Sequence, residues 1–244
     1  MLRRAGGFTV VELLVAAAVM AVLLGAVALY FAQQSRATSD GQAHNDVELS
    51  ARTVAEGVTQ DLQLAGSRAA YIGGAVDYVR ISDDCSESSR STCIIARTYA
   101  SDGTFSDPAG DESINGYSIY YRSSLVPAEP CRRVDFAFLG TTLYRSDTEC
   151  SAGISSIDLA ASAFAENVTA FGISFACSDG SAHVDPADCY ATADQYVTGA
   201  TVSVTVTSPG RSGATSRMDL STLTPNMRPS IDYLRDIPNP EQGG

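Results

Sequence analysis

Between Phe8 and Ala32 the only ionisable acid or base is Glu12, and no other feature limits the possible folds of this chain so strongly. At about 1.5 Å per residue the segment makes a helix of ~37 Å, enough to cross a hydrocarbon layer of roughly 30 Å. A cleaved secretory signal has a shorter apolar stretch, roughly 7 to 15 residues, with small residues at its far end. Here the small pair Gly6-Gly7 comes before the apolar run, so cleavage would remove a leader and keep the helix. Arg3 and Arg4 precede the span, and the positive-inside rule then sends the residues after about 33 across the membrane. A carboxylate in hydrocarbon is costly and is paired or functional as a rule, which makes Glu12 the first candidate site residue. Ala17, Ala21, Gly25, Ala28 and Ala32 follow at spacings of four, four, three and four and share one face, where helices pack closely. The general abundance of alanine explains that stripe equally well.

The short basic leader, Gly7, Phe8 and an acid five residues into the mature chain together resemble the class III leader of type IV pilins and type II secretion pseudopilins. The resemblance implies that a prepilin peptidase cuts after Gly7 and methylates the new amino terminus at Phe8. It also implies that Glu12 pairs with the Phe8 amine of a neighbouring subunit during assembly.

Beyond the span, Val47, Ala51, Val54, Val58, Leu62 and Ala65 keep a helical period, which predicts an amphipathic continuation. No proline occurs before Pro108, so a helix from Phe8 to about Leu64 is allowed, with a kink expected at Ser39-Asp40-Gly41 and a stop at Gly66. The stretch Asp61-Leu62-Gln63-Leu64-Ala65-Gly66 is similar to the helix end of PilW-type minor pilins, where an Asp-Leu-x-x-Ala-Gly pattern recurs.

Short β-like runs follow: Val76 to Ile81, Cys93 to Tyr99, Tyr117 to Arg122, Val134 to Leu139, Thr142 to Arg145, Val168 to Phe175 and Tyr196 to Thr207. Strict alternation in Thr201 to Thr207 predicts an antiparallel sheet covered on one side, with the long helix as cover. Loops rich in Ser, Asp, Gly and Pro separate the runs at 82–92, 101–116, 178–188 and 208–213. Tyr120-Tyr121-Arg122, Leu143-Tyr144-Arg145 and Glu166-Asn167-Val168 resemble PilW-like strand order. Leu223 to Arg228 resembles that family's last strand, without its usual Arg-Asn ending.

The expected fold is therefore α+β: a long N-terminal transmembrane and amphipathic helix packed on an antiparallel β-sheet head with disulfide-closed loops. The expected divisions are a leader at 1–7, a membrane and pilus-core helix at 8–32, its amphipathic extension at 33–66, a β-rich head at 67–228 and a loosely ordered tail at 229–244.

All six cysteines lie in the exported part, which fits an oxidising compartment and makes disulfides the default. Their grouping suggests Cys85 with Cys93, Cys131 with Cys150 and Cys177 with Cys189, each closing one loop. Zinc on Cys177, His183 and Cys189 is the sharper alternative, at a spacing wider than usual zinc pairs. Asp179, Asp185, Asp188 and Asp194, and separately Asp83, Asp84 and Glu87, offer oxygen ligands for calcium, but neither cluster follows a calcium-loop pattern. No metal site or cofactor is assigned, and calcium stays the open alternative.

Catalysis finds little support. The two histidines, His44 and His183, fall on the helix and in an acidic loop, and no nucleophile elbow, phosphate loop or zinc-protease helix is present. Asn167-Val168-Thr169 fits a glycosylation sequon and is read as structural. The net charge of -12, with arginine as the sole basic residue type, disfavours nucleic acid as a partner of the isolated subunit. Arg132-Arg133 is too sparse for a nucleic-acid groove and is expected to face solvent or acids on neighbouring subunits.

Taken with the resemblance, this reads as a minor type IV pilin that primes, caps or enters a pilus supporting adhesion, twitching motility or DNA uptake. The alternatives are a type II secretion pseudopilin similar to the GspJ group and, from another class, a DNA-uptake receptor pilin. The implied partners are other major and minor pilins, the prepilin peptidase, the inner-membrane assembly platform and membrane lipid. The implied location is single-pass in the inner membrane with the head exported, then a surface pilus or periplasmic pseudopilus. Mass spectrometry of the N-terminal peptide is expected to find a mature chain starting at methylated Phe8, and Gly7→Val is expected to retain the leader. Assembled fibres containing an unmodified chain from Met1 would contradict this.

Overall fold

The computed structural model describes residues 9–65, 93–122, 131–149, 156–190, 195–209 and 213–224. Its N-terminal element is one unbroken helix, α1 (Val10–Leu64), of 55 residues and about 82 Å at standard rise. Thr9 starts it with a capping box: its hydroxyl accepts the Glu12 amide, and the Glu12 carboxylate accepts the Thr9 amide. The expected kink position, Ser39-Asp40-Gly41, lies inside this helix and does not end it. Just before it, the Thr38 hydroxyl donates to the Gln34 carbonyl. Ala65 closes the described helix by donating its amide to the Leu62 carbonyl.

Two antiparallel sheets complete the fold. The larger has the order β2-β1-β3-β4-β5-β6, built from β1 (Ile94–Tyr99), β2 (Phe105–Ser106), β3 (Gly116–Arg122), β4 (Cys131–Leu139), β5 (Thr142–Glu149) and β6 (Ala163–Glu166). The smaller has the order β10-β9-β7-β8, built from β7 (Val168–Cys177), β8 (Ala182–His183), β9 (Val197–Thr207) and β10 (Thr215–Leu223). The expected runs at 93–99, 117–122, 134–139, 142–145, 168–175 and 196–207 all lie on strands or within a residue of one. The run at 76–81, the loop at 82–92, the stop at Gly66 and the tail at 229–244 lie outside the described residues.

Four strands were not anticipated. β2 and β8 are too short to show a period, and β6 is an Ala-Phe-Ala-Glu stretch of weak β preference. β10 alternates, but between exposed and half-buried residues, so hydropathy barely marks it. Among the described residues the last strand runs from Thr215 to Leu223. Of the last strand expected at 223–228, residues 225–228 lie outside the described residues.

The expected helical stripe and strand alternation meet in one core. Val47, Ala51, Val54, Val58, Leu62 and Ala65 are all buried, against Ile94, Ile119, Val134, Phe136 and Leu143 from the larger sheet and Ile173, Phe175, Val202, Val204 and Val206 from the smaller. The helix lies foremost on β9 and β10 and also meets β3 and β6. Gly57 lets it approach β6, since a Cβ there would come within 2.9 Å of the Phe164 ring. The sheets are tied directly as well: the Tyr117 hydroxyl donates to the carbonyls of Ile173 and Val184, and its ring meets Phe175 edge-on.

The chain changes sheets between β6 and β7 at Asn167, whose φ of 59° is the one left-handed backbone of a non-glycine residue among those described. Asparagine tolerates this region better than most side chains, which explains a polar residue between two strands. Asn167→Gly is expected to hold or slightly raise the thermal midpoint, and Asn167→Val to cost about 1–2 kcal/mol in denaturant unfolding.

Candidate functional site

The part of α1 that the fold leaves unused is the functional candidate. From Thr9 to Gln42 every residue is exposed, including Val10, Val11, Leu13, Leu14, Leu23, Leu24 and Phe31. This stretch is long and apolar enough to cross a membrane. The small-residue stripe of Ala17, Ala21, Gly25, Ala28 and Ala32 lies open along it. Burial begins only at Val47. The helix thus has two halves with opposite surroundings, one packed into the head and one with none of the head around it.

Glu12 stands at the start of the free half. One oxygen of its carboxylate accepts the Thr9 amide at 2.9 Å and the Thr9 hydroxyl at 3.1 Å. Within a single chain the acid therefore finds its partners in the first helical turn. Gly7 and Phe8, the expected processing residues, lie outside the described residues.

At the other end, a clamp fixes the helix to the larger sheet. Asp61 accepts two parallel bonds from Arg145 on β5, from Nε at 2.8 Å and Nη2 at 3.0 Å. Asp61 is buried and Arg145 partly so, which makes the fork more than a solvated contact. The hydrogen bond from Arg145 to Asp61 raises the guanidinium above its ordinary range, with burial opposing. Arg132 holds Asp147 at 2.7 Å beside this pair, and the Tyr121 hydroxyl donates to the same carboxylate at 3.4 Å. Burial and then Asp147 push the Tyr121 phenol up.

Sequence reasoning saw Asp61 only as part of a recurring pattern. A readable signal was present: Asp61 lies three residues after Val58 and seven after Val54, so it places a charge on the apolar stripe. Its partner, 84 residues away, could not be read.

Arg133 corrects an expectation. Arg133 is buried and pairs with Asp135 at 2.8 Å instead of facing solvent, whereas Arg132 is partly exposed, as expected, and pairs with Asp147 of its own chain. Arg133 and Asp135 are buried on the far face of the larger sheet, where Ser118 donates to Asp135 and Arg97 donates to Ser118. Phe105 lies under both Arg97 and Arg133, at 4.9 and 5.4 Å from its centroid. The segments around 100–115 and 156–162 cover this face, and the buried pair follows from that cover.

Cys177 and Cys189 form a disulfide across the 178–188 loop, with Cα atoms 5.2 Å apart. That removes the thiolates a zinc ion would need. Cys93 is also disulfide-bonded. Cys85, Cys150 and the side chain of Cys131 lie outside the described residues. Within the 178–188 loop the acids serve the turns: Asp179 accepts the Ser181 amide and hydroxyl, and Asp185 accepts the Ala187 amide. Asp188 sits 3.7 Å from His183. The hydrogen bonds from Ser181 hold the Asp179 carboxyl below its usual range. Asp83, Asp84, Glu87 and Asp194 lie outside the described residues, and His44 is exposed on α1.

Comparison with known proteins places the free helix in context. The family model described as the prokaryotic N-terminal methylation motif matches residues 2–28. A curated relative, the pilin-like protein PilA3 of Thermus thermophilus, is 30% identical over 242 residues, covering 95% of this chain and 94% of its own. No solved structure matches.

The clamp is open to a double-mutant test. Asp61→Ala is expected to lower the stability of the full chain in detergent by about 1–3 kcal/mol, because Arg145 loses both bonds while remaining partly buried. Asp61→Ala combined with Arg145→Leu should recover part of that loss in the same denaturant titration.

Proposed function

Since the chain belongs to the type IV pilin family, we propose that it is a minor pilin of the PilW type, a structural subunit that primes, caps or enters a pilus. The observation that carries this reading is the division of α1. Its second half completes the head core, whereas its first half exposes leucines, valines and a phenylalanine that none of the described residues cover. Such a surface is not stable in water. A bilayer accommodates it before assembly, and a bundle of like helices accommodates it afterwards. The small-residue stripe suits close helix contacts in such a bundle.

In this proposal the leader stays cytoplasmic, the chain crosses the inner membrane once, and the head is exported. The prepilin peptidase and the assembly platform act on it in turn, and other pilins are its lasting partners. Glu12 supplies the assembly chemistry. In one chain its carboxylate shares the capping box with Thr9, and in the filament it also takes the charged Phe8 amine of a neighbour. Two opposite charges attract most strongly where water is excluded, so the pair rewards stacking of one helix against the next. The head contributes recognition and no catalysis. An acidic head does not favour a phosphate backbone, which sets DNA binding by the isolated subunit aside.

Glu12→Ala is expected to leave membrane insertion and the Cys177–Cys189 disulfide intact while reducing entry into filaments at least tenfold in cells lacking the wild-type subunit. Quantitative immunoblotting of sheared filaments against membranes measures both. Normal filament entry by this variant would remove the charge-pairing mechanism.

A further inference from the structure

We propose that the open face of the smaller sheet is a self-complementary docking surface for the head of a second copy of this chain. The inner face of this sheet packs on α1 and the larger sheet, and the outer face is tiled with small residues. Strand register sets them in rows: Ala170, Thr205 and Arg217; Gly172, Ser203 and Asp219; Ser174, Thr201 and Ser221. Neighbouring hydroxyls are bonded across strands, Thr201 with Ser221 at 2.9 Å and Thr207 with Thr215 at 3.2 Å. In these rows Arg217 and Asp219 are the charged side chains, and they neutralise each other at 3.1 Å. Such a face is flat, and its short side chains lose little rotamer freedom when covered.

A solvent-facing antiparallel sheet would also carry threonine and serine. The fourth row departs from that pattern. Ala182, Ala176, Gly199 and Leu223 cross all four strands side by side and are wholly apolar. Leu223 stands 75% exposed at one end of the row, and Val184, 36% exposed, follows two residues after Ala182 at the other. Beyond the helix these two are the exposed large apolar side chains among the described residues. A knob at one edge and a low floor at the other make a surface that fits itself. A two-fold axis along the strands, between β7 and β9, brings each Leu223 over the second copy's Ala182 and beside its Val184. That is the reciprocal pattern of an isologous contact.

Charge and area fit the same occupant. With a net charge of -12, two copies repel through most of their surfaces, while this face meets its like without added charge. Three strands of about 30 Å, spaced about 4.8 Å apart, offer roughly 450 Å² per copy, or about 900 Å² in all. That lies at the weak end of specific interfaces, which suits two copies anchored in one bilayer before either enters a filament, since a two-fold contact does not propagate along one. The anchoring rests on the pilin reading; the self-complementarity does not.

The test uses the full chain in detergent micelles with a benzophenone amino acid in place of Leu223. Ultraviolet irradiation should give a covalent dimer whose adducts map to residues 176–184 of the second copy. The same probe in place of Thr141, on the rim of the larger sheet, should give none. Val184→Asp should cut the yield from position 223 at least tenfold, with an unchanged unfolding midpoint. In sedimentation, Leu223→Asp should weaken association, and Leu223→Asp with Val184→Arg should restore it. No dimer, adducts elsewhere on the head, or adducts confined to α1 would overturn the proposal. If the crosslink fails while the subunit still enters filaments, the docking face falls and the pilin reading stands. If the crosslink forms in a chain that never enters filaments, the reverse holds.

Discussion

The burial of one helical stripe between two sheets is the interaction on which the head depends. Val54, Val58 and Leu62 are removed from water on α1, and strands of both sheets close over them. Each such side chain contributes about 1.5–3 kcal/mol, so three of them outweigh the Asp61–Arg145 clamp at about 1–3 kcal/mol. Apolar burial therefore holds the helix in place, and the ion pair sets its register against β5. The tyrosine bridge from β3 to Ile173 and Val184 does the same between the sheets, by spending one buried hydroxyl on backbone groups of the other layer.

The same helix explains why the protein is not self-sufficient. Its second half needs the head, and its first half needs a medium that the head does not provide. A chain built in this way is stable where the free half is covered, by lipid or, in a pilus, by other helices. This couples anchoring to assembly through a single element and leaves the head free to differ in loops and strand faces. The disulfide across the 178–188 loop and the acid-capped turns inside it stiffen one such loop without touching the helix.

Charge is handled differently on the three exposed or half-exposed surfaces of the head. On the far face of the larger sheet, Arg133 and Asp135 are covered by loops and paired with each other, and Asp135 also accepts the Ser118 hydroxyl. Beside the helix, Arg145, Asp61, Arg132 and Asp147 form a partly solvated cluster. On the smaller sheet the charges nearly vanish, and an apolar row ends in an exposed leucine. The last arrangement gives up solubility at one place on an otherwise acidic protein, which makes sense for a surface that is covered in use.

How much of this was legible in the sequence follows from the range of each interaction. The membrane-length helix, its buried stripe at Val47 to Ala65, the antiparallel character of 201–207 and the family itself depend on residues close together in the chain, and periodicity and spacing carry them. Ser39-Asp40-Gly41 does not end the helix, because propensity at three residues is small beside the hydrogen-bond ladder of 55 residues. The partners of Asp61, Arg132 and Arg133, the sheet switch at Asn167 and strand β10 were decided by tertiary structure. Each depends on which strands lie next to one another, and a register of Leu223 against Gly199 or an Arg145 beneath Asp61 has no trace in local pattern. Short-range periodicity is written along the chain, whereas the choice of distant neighbours exists only once the two sheets have closed around the helix.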